Sequence, residues 1–342
     1  MPHKFFITGG AGFIGSNYAY RLLQRGEQVT IFDNLSRDGA SRNLKWLEES
    51  FGPKAFRLIV ADVRESARLT EAIRESDVIV HLAGQVAVTT SVTHPRQDFE
   101  ANALGTFNVL EAARLSGENP ILLYASTNKV YGGMEDVPVV ERPTRWEYAS
   151  LPHGCPESQP LDFHSPYGCS KGTGDQYVRD YARIYGLRSV VFRQSCIYGP
   201  RQFGIEDQGW VAWMVIAAIT GRQITIYGDG KQIRDVLYVD DLLNAYDAAI
   251  ERIETAAGQV YNIGGGPSNA MSIWAEFGPL LESLLGRSIP VARGDWRPGD
   301  QKVFIADIRK AERDLGWKPK IGVREGVTRL FDWVQANRAM FT

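Results

Sequence analysis

Residues 4–26 read KFFITGGAGFIGSNYAYRLLQRG, and the order of residue types predicts a strand, a tight turn and a helix. The strand is the apolar run 4–8, and Gly9, Gly12 and Gly15 follow it at three-residue spacing. Glycines at this spacing let the backbone turn tightly and approach a pyrophosphate. The helix that follows points its partly positive amino end at the phosphates. The stretch therefore predicts a dinucleotide site at the start of a parallel sheet.

A second predicted strand, residues 28–32, ends in Asp33. This acid lies roughly 20 residues past the glycine turn, where a carboxylate binds the adenosine ribose diol in dinucleotide-binding folds. A carboxylate there would repel a 2′-phosphate, so the pattern favours NAD over NADP, although Arg37 nearby weakens that preference. The alternative is a glycine loop that binds no cofactor.

The chain of 342 residues has an ordinary globular composition, 44% hydrophobic and 23% charged. Its formal net charge of −2 gives no reason to expect nucleic acid or an anionic membrane as a partner. Cys155, Cys169 and Cys196 show no paired spacing, which fits a reducing compartment and predicts no metal site. The sequence begins directly in a strand and has no apolar run near the roughly 20 residues that span a bilayer. We therefore expect no membrane segment and a cytoplasmic location.

Strands and helices keep alternating along the first half of the chain, which predicts a parallel sheet with right-handed crossovers. The fold class is therefore α/β, a Rossmann-type doubly wound parallel sheet. Residues 1–195 are predicted to form the NAD-binding domain, which carries the catalytic residues. Residues 196–342 are predicted to be mainly a smaller, discontinuous substrate-binding lobe, with some segments returning to the sheet. Long helices are expected at residues 97–115, 167–185, 207–220 and 272–285.

Three segments outside the glycine turn are candidates for ligand contact. Asp62 ends the predicted third strand, at the edge where an adenine would lie, and its alternative role is a helix N-cap. Residues 85–91 are a hydroxyl-rich loop that either binds a sugar or bonds only to its own backbone. Residues 144–159 are long and irregular, so they are either a lid or an insertion packed on the surface.

Tyr167 and Lys171 lie four residues apart on one face of a predicted helix. A tyrosine ordinarily titrates near 10, and a neighbouring ammonium together with a positive nicotinamide favours the phenolate. Such a tyrosine can take a proton from a substrate hydroxyl as hydride leaves for NAD. Thr127, just past the fifth strand, would hold the same oxygen. These three residues are the candidate catalytic groups, although the pair alone also occurs by chance on many helices.

These motifs together resemble the extended short-chain dehydrogenase/reductase family, in the branch that acts on nucleotide sugars. The glycine turn, Thr127 ahead of Val-Tyr-Gly, and the Tyr167/Lys171 pair match the family pattern, as do residues 198–200 and 234–241. The resemblance covers essentially the whole chain. It implies further cofactor contacts at Phe13, Ile14, Asn34, Asp62, Val63, Leu82, Ala83, Gly84, Asn102, Tyr167 and Lys171.

The same resemblance implies the substrate contacts and the partners. Arginines in loops suit a diphosphate because a guanidinium binds phosphate through two bonds. The substrate-binding candidates are Gln85, Thr89, Thr127, Asn128, Lys129, Arg201, Gln202, Arg234 and Arg297. The family usually pairs subunits through helices around Asn102 and Tyr167, so we expect a homodimer or homotetramer.

Within the branch, the likeness is strongest to the 2-epimerases of CDP-activated dideoxy sugars, which implies such a sugar as substrate. It is carried by residues 81–87, 126–132 and 161–171. Cys196 stands where many relatives have an asparagine that holds the substrate phosphates, so another group must serve here. The alternatives are a 4-epimerase or 4,6-dehydratase of a UDP- or dTDP-sugar, and an NAD-binding regulatory protein without catalysis.

Overall fold

A computed structural model describes residues 2–297 and 300–341 of the chain. The first part alternates strands with helices. Its strands are β1 (Lys4–Thr8), β2 (Gln28–Asp33), β3 (Arg57–Val60), β4 (Val78–His81) and β5 (Ile121–Thr127). Its helices are α1 (Phe13–Gln24), α2 (Ala40–Phe51), α3 (Ser66–Ile73), α4 (Val88–Thr93), α5 (Pro95–Phe99) and α6 (Gly105–Leu115).

The second part adds shorter strands and further helices. The strands are β6 (Val139–Glu141), β7 (Trp146–Tyr148), β8 (Arg188–Gln194), β9 (Ile197–Tyr198), β10 (Ile224–Tyr227), β11 (Ile233–Asp235), β12 (Leu237–Tyr238), β13 (Val260–Ile263), β14 (Ala270–Ser272), β15 (Val291–Gly294) and β16 (Val303–Phe304). The helices are α7 (Ser165–Tyr185), α8 (Trp210–Thr220), α9 (Val239–Glu251), α10 (Ile253–Ala256), α11 (Phe277–Leu285), α12 (Arg309–Leu315) and α13 (Val323–Ala336).

The central sheet has seven parallel strands in the order β3-β2-β1-β4-β5-β8-β13. All four residues of β4 are buried, as expected for a strand covered on both faces, whereas β3 is a largely exposed edge strand. The strand order reverses between β1 and β4, and ligands bind in the crevice at such a switch point. The glycine turn after β1 opens into this crevice, so the predicted α/β fold is confirmed.

One hydrophobic core joins the two parts of the chain. Phe5 and Ile7 of the sheet belong to the same buried cluster as Phe277 and Leu330 of the second part. β13 also comes from the second part and forms the outer strand of the sheet beside β8. The division at residue 195 stays a prediction. Within the described residues, no helix is both long and apolar enough to cross a membrane.

Three predicted segments differ in detail. The helix expected over residues 97–115 is interrupted by a π-helical turn, Glu100–Leu104, which joins α5 to α6. The helix expected over 272–285 begins only at Phe277, because Ser272 and Glu276 exchange side-chain-to-backbone hydrogen bonds of 2.9 Å that hold a turn between them. The loop 85–91 contains the start of α4.

Candidate active site

The glycine turn brings three backbone segments into contact. Gly9 has a φ of 67° and donates its N–H to the Phe32 carbonyl at 2.8 Å. A Cβ added to Gly9 would lie 2.7 Å from the Ala83 nitrogen, and one added to Gly15 would overlap the Gly9 carbonyl oxygen. Gly12 occupies the N-cap of α1 and has no side chain to cap the first amides. The amides of Phe13, Ile14 and Gly15 are thus available to a phosphate.

Asp33 is fixed beside this turn. Its Oδ2 accepts the Ala11 N–H at 3.0 Å and its Oδ1 accepts the Leu35 N–H at 2.8 Å. Burial raises the pKa of Asp33, and these two backbone bonds oppose the rise. The carboxylate at the end of β2 and the bare amides of α1 therefore form a cradle that fits the ribose and pyrophosphate of a dinucleotide.

Asp62, Val63 and Asn34 lie together at the ends of β2 and β3. Asn34 donates to Asp62 at 2.7 Å, and Arg64 binds the Asp62 carboxylate through Nε and Nη2, both at 2.8 Å. These bonds, led by those from Arg64, lower the pKa of Asp62 to about 2. The Val63 carbonyl accepts a hydrogen bond from Asn108 Nδ2. The Asp62 carboxylate is thus already held by protein groups at the expected adenine edge.

Leu82, Ala83 and Gly84 extend from β4 towards the turn. The Thr8 hydroxyl accepts the N–H groups of Leu82 and Ala83, both at 3.2 Å. A Cβ on Gly84 would overlap Asn102 Oδ1. Asn102 donates to the Gln85 carbonyl at 2.9 Å, while its buried Oδ1 has no hydrogen-bond partner among residues 2–297 and 300–341. That oxygen is an acceptor left open beside the crevice.

The three candidate catalytic residues meet at the carboxyl end of β5. Thr127 ends that strand, and Tyr167 and Lys171 come from the first two turns of α7. All three side chains are buried down to 7–8% exposure. Thr127 lies close enough to Tyr167 to lower the pKa of that tyrosine. The predicted meeting of these residues is therefore present in the structure.

Burial dominates the pKa of Tyr167 in the protein alone, and the predicted joint effect of Lys171 and a nicotinamide stays a prediction. Burial raises the pKa of Tyr167 to about 12, Thr127 lowers it and Asp98 raises it, with no contribution from Lys171. The Lys171 ammonium lies 4.4 Å from the centre of the Tyr124 ring. Burial lowers the pKa of Lys171 to about 8, against the opposite effects of Asp175 and Asp98.

Two further groups, Asp175 and His81, surround the catalytic residues and are not among the residues predicted from the sequence. Asp175 lies one helical turn after Lys171, accepts the Ser126 hydroxyl at 2.8 Å and binds the buried Arg193 through two bonds of 2.9 Å. His81 ends β4, contacts Thr8 at 2.7 Å and stacks on Tyr124. The Lys171-to-Asp175 spacing was a readable signal, whereas nothing local marked His81.

Lys129 and Arg234 lie close together beyond Thr127. The Lys129 ammonium donates to Gln301 Oε1 at 3.3 Å, and Arg234 pairs with Asp300 at 2.7 Å. Asn128 is buried beside Thr127, which donates to its Oδ1 at 3.3 Å. Asn128, Lys129 and Arg234 are therefore gathered where the sequence places them, next to the catalytic hydroxyl.

Arg297 and Thr89 share one acidic partner. Arg297 pairs with Asp207 at 3.1 Å and lies over the Tyr227 ring at 4.0 Å. Thr89 donates to the other oxygen of Asp207 at 3.2 Å. Asp207 therefore bridges α4 and the substrate lobe. Gln85 is turned back on its own loop, with bonds of 2.6 Å to the backbone of Ala87.

Arg201 contacts two aromatic rings. Its guanidinium lies 4.2 Å from the Trp46 ring and 5.6 Å from the Trp333 ring, and its φ is 69°. Both aromatic rings belong to helices, α2 and α13, so the cation packs against two helices. Gln202 donates to the Ile197 carbonyl at 3.3 Å. The structure thus separates Arg201 from the cations gathered near Thr127.

The segment 144–159 is packed against the substrate lobe. Arg145 binds Glu276 through two bonds of 2.7 Å, and the Trp146 indole donates to Asp229 at 2.8 Å. Cys155 pairs in a β-bridge with Ala306. Among the described residues, no group of three or more metal-ligating side chains is arranged to hold a metal ion.

Comparisons with known proteins agree with this geometry. Residues 6–330 match the family model for GDP-mannose 4,6 dehydratase. The chain is 44% identical to CDP-paratose 2-epimerase of Salmonella typhi, over 97% of this chain and 99% of that protein. It is 32% identical to a putative UDP-glucose 4-epimerase of Methanocaldococcus jannaschii, over 97% and 98% of the two chains.

Solved structures agree as well. The UDP-glucose 4-epimerase of Thermotoga maritima, solved with UDP-glucose, superposes with a TM-score of 0.83 at 29% identity, covering 98% of this chain and 99% of that one. The dTDP-glucose 4,6-dehydratase of Streptomyces venezuelae, solved with NAD, gives a TM-score of 0.84 at 28% identity and covers 98% of each chain.

Proposed function

The chain belongs to the GDP-mannose 4,6 dehydratase family, within the extended short-chain dehydrogenases/reductases, and on that premise we propose that it is an NAD-dependent 2-epimerase that converts CDP-paratose to CDP-tyvelose. The observation that carries the proposal is the 44% identity to CDP-paratose 2-epimerase along 97% of the chain. The gathering of Thr127, Tyr167 and Lys171 beside the dinucleotide cradle supports the redox chemistry that such an epimerase needs.

Each catalytic residue has a distinct task in this reaction. Tyr167 takes the proton of the sugar 2-hydroxyl, and Thr127 holds the same oxygen through its own hydroxyl. NAD held by the amides of α1 and by Asp33 would supply reversible hydride transfer at C2, which allows the configuration of that carbon to be inverted. Lys171 places a positive charge near the nicotinamide ribose. Tyr167 gives the proton back at the end, so the protein and the cofactor are unchanged after each turnover.

The residues after Thr127 argue against a dehydratase. The resemblance to the nucleotide-sugar branch implies that a dehydratase has an acidic pair beside the catalytic hydroxyl, for elimination across C5 and C6. Here Asn128 and Lys129 occupy those positions. A 4-epimerase uses the same three catalytic groups, so the carbon that is oxidised distinguishes the two candidates.

Product analysis tests the proposal directly. The purified protein, with no added cofactor, is incubated with CDP-paratose and, separately, with UDP-glucose, and the products are identified by NMR. We expect conversion of CDP-paratose alone, with inversion at C2. Conversion of UDP-glucose instead would replace the proposal with a 4-epimerase, and no turnover of either sugar by NAD-loaded protein would point to a regulatory role.

We also propose that two copies of the chain pair through α6 and α7. Apolar side chains are exposed along one face of these helices and the neighbouring α5, and Phe107 contacts Tyr177 edge-on at 5.9 Å. Spacings of seven and eight residues keep Tyr177 with Ile184, and Phe107 with Leu115, on one helix face. A second copy would cover this surface, since apolar patches of this kind mark association sites.

The mass of the protein, measured by light scattering as it elutes from a size-exclusion column, tests the pairing. We expect at least a dimer for the unmodified chain and a monomer for Ile184→Glu, because the new carboxylate would be buried without a partner. Val60→Glu, on the exposed edge strand β3, is the matched control and should keep the unmodified mass. A monomeric unmodified chain would reject the proposal.

We place the protein in the cytoplasm on the strength of its cysteines. Cys155, Cys169 and Cys196 are all free, and disulfides form and persist in oxidising compartments. Fractionation of cells that produce the protein would test this location.

A further inference from the structure

Two cations next to the catalytic hydroxyl share a single carboxylate. Arg234 is buried to 6% exposure and pairs with Asp300. Asp300 and Arg234 both act electrostatically on Lys129, whose direct partner in the described part of the chain is the neutral side chain of Gln301. The two positive charges of Lys129 and Arg234 therefore face one negative charge. A buried positive charge without a partner costs free energy, so a bound anion would stabilise this cluster.

Lys129 is held where such an anion would meet the reacting sugar. Its backbone N–H donates to the Thr127 hydroxyl oxygen at 3.2 Å, which ties the residue to the catalytic group. Cys196 also faces it, and this thiol has no positive charge to offer a phosphate. Lys129 remains partly accessible, whereas Gln301 and Arg234 around it are buried. Lys129 is thus the less buried of the two cations in this cluster.

The chemistry of the proposed substrate decides which anion this is. In a nucleoside diphosphate sugar, the β-phosphorus is three bonds from C2 but five bonds from C4. Oxidation at C2 therefore brings the β-phosphate close to Thr127 and Tyr167, whereas oxidation at C4 keeps it on the far side of the ring. A 2-epimerase therefore needs a cation close to its catalytic hydroxyl to bind the β-phosphate.

We propose that Lys129 binds the β-phosphate of the substrate and, by holding it beside Thr127, presents C2 rather than C4 for oxidation. The inference rests on the proposed function and adds the residue that sets the reacting carbon. Arg234 supplies the second charge of the same subsite, and Asp300 and Gln301 hold the two cations in place. Lys129 is a specificity-determining residue that touches the substrate without exchanging a proton with it.

Calorimetric titration with CDP and with CMP isolates the β-phosphate, because only CDP carries it. We expect Lys129→Met to weaken CDP binding about 10- to 100-fold, the range of a hydrogen bond to a charged group, and to change CMP binding less than about twofold. Lys129→Arg should restore most of the CDP affinity. Lys310→Met is the control variant. It removes an ammonium whose pKa is also lowered by burial and which donates to the Val260 carbonyl at the start of β13. This variant should bind both nucleotides as the unmodified chain does.

The pH dependence gives a second readout. Burial and the charge of Arg234 lower the pKa of Lys129 to about 8. The cation that binds phosphate is therefore present below that pH, and CDP affinity should fall as pH rises from 7 to 9.5, but not in Lys129→Arg. Arg234, Asp300 and Cys196 also face Lys129. Of these, only a thiol ordinarily titrates in that range, and burial raises the pKa of Cys196.

The outcomes separate this inference from the proposed function. Equal CDP affinity in Lys129→Met and the unmodified chain would overturn the role of Lys129, whatever the product assay shows. An equal loss for CDP and CMP would also overturn it, since the β-phosphate would not be the group contacted. Binding of UDP but not CDP would reject the CDP sugar, and UDP against UMP would then test Lys129 in the same way.

Discussion

The two sides of the crevice hold their polar groups in different ways. On the cofactor side, Asp33 is fixed by backbone N–H groups and the amides of α1 are left open, so a ligand adds bonds without breaking any. On the substrate side, Arg297 and Arg234 are paired with Asp207 and Asp300 of their own lobe. A substrate that binds Arg297 must compete with the Asp207 carboxylate. The first side is organised in advance, and the second exchanges contacts when it binds.

The largest effect is expected at the meeting point of the two sides. Tyr167→Phe removes the group that takes the proton, and we expect turnover to fall about 10²- to 10⁴-fold, the usual contribution of acid–base catalysis. The NAD content should remain unchanged, because the cradle lies elsewhere. Initial rates and the NAD released on denaturation measure both quantities. Tyr20→Phe, in α1 where the ring stacks on Trp46, is the control, and near-normal turnover by Tyr167→Phe would contradict the mechanism.

The second-largest effect tests whether the cofactor side is organised before NAD binds. Gly15→Ala would place a methyl group against the Gly9 carbonyl oxygen, so the turn must shift. We expect the protein to lose its bound NAD and about 1–3 kcal/mol of unfolding free energy, as overpacked sites do. Gly322→Ala has open space around the new methyl group and serves as control. Retention of NAD by Gly15→Ala would show that the turn adapts to the ligand.

Sequence alone predicted the parts of the site that depend on short spacing. The glycine turn, Asp33 and the Tyr167/Lys171 pair follow from intervals within one strand, turn or helix, and the fold places them as predicted. The surroundings of Arg201 depend on α2 and α13, which are far apart in the chain, so no local pattern could show that it stacks between two tryptophans. Burial likewise decides the pKa of Tyr167, and spacing carries no measure of burial.

Arg201 and Arg234 sharpen the comparison within the substrate side. Arg234→Met should raise the KM for the sugar nucleotide about tenfold, since a charged hydrogen bond to phosphate is lost. Arg201→Met should leave that KM within about twofold and lower the unfolding free energy by about 1 kcal/mol, because it removes cation–π contacts with Trp46 and Trp333. Steady-state kinetics and thermal unfolding of both variants measure this. A tenfold KM effect at Arg201 would return it to the substrate site.

The smallest effect concerns the competition at Arg297. Asp207→Asn weakens an ion pair between two partly exposed side chains, and such pairs contribute about 0.2–1 kcal/mol. If a diphosphate must displace the Asp207 carboxylate, the variant should bind CDP about two- to fivefold more tightly, contrary to the usual loss on removing a polar group from a binding site. Calorimetry measures the change at low salt, where it is largest. Glu206→Gln removes a neighbouring carboxylate that contacts Tyr227 instead of Arg297. An equal gain in CDP affinity in Glu206→Gln would assign the effect to the loss of negative charge in general. Weaker CDP binding by Asp207→Asn would instead make Asp207 a substrate ligand. The substrate side would then be organised before the ligand binds, as the cofactor side is.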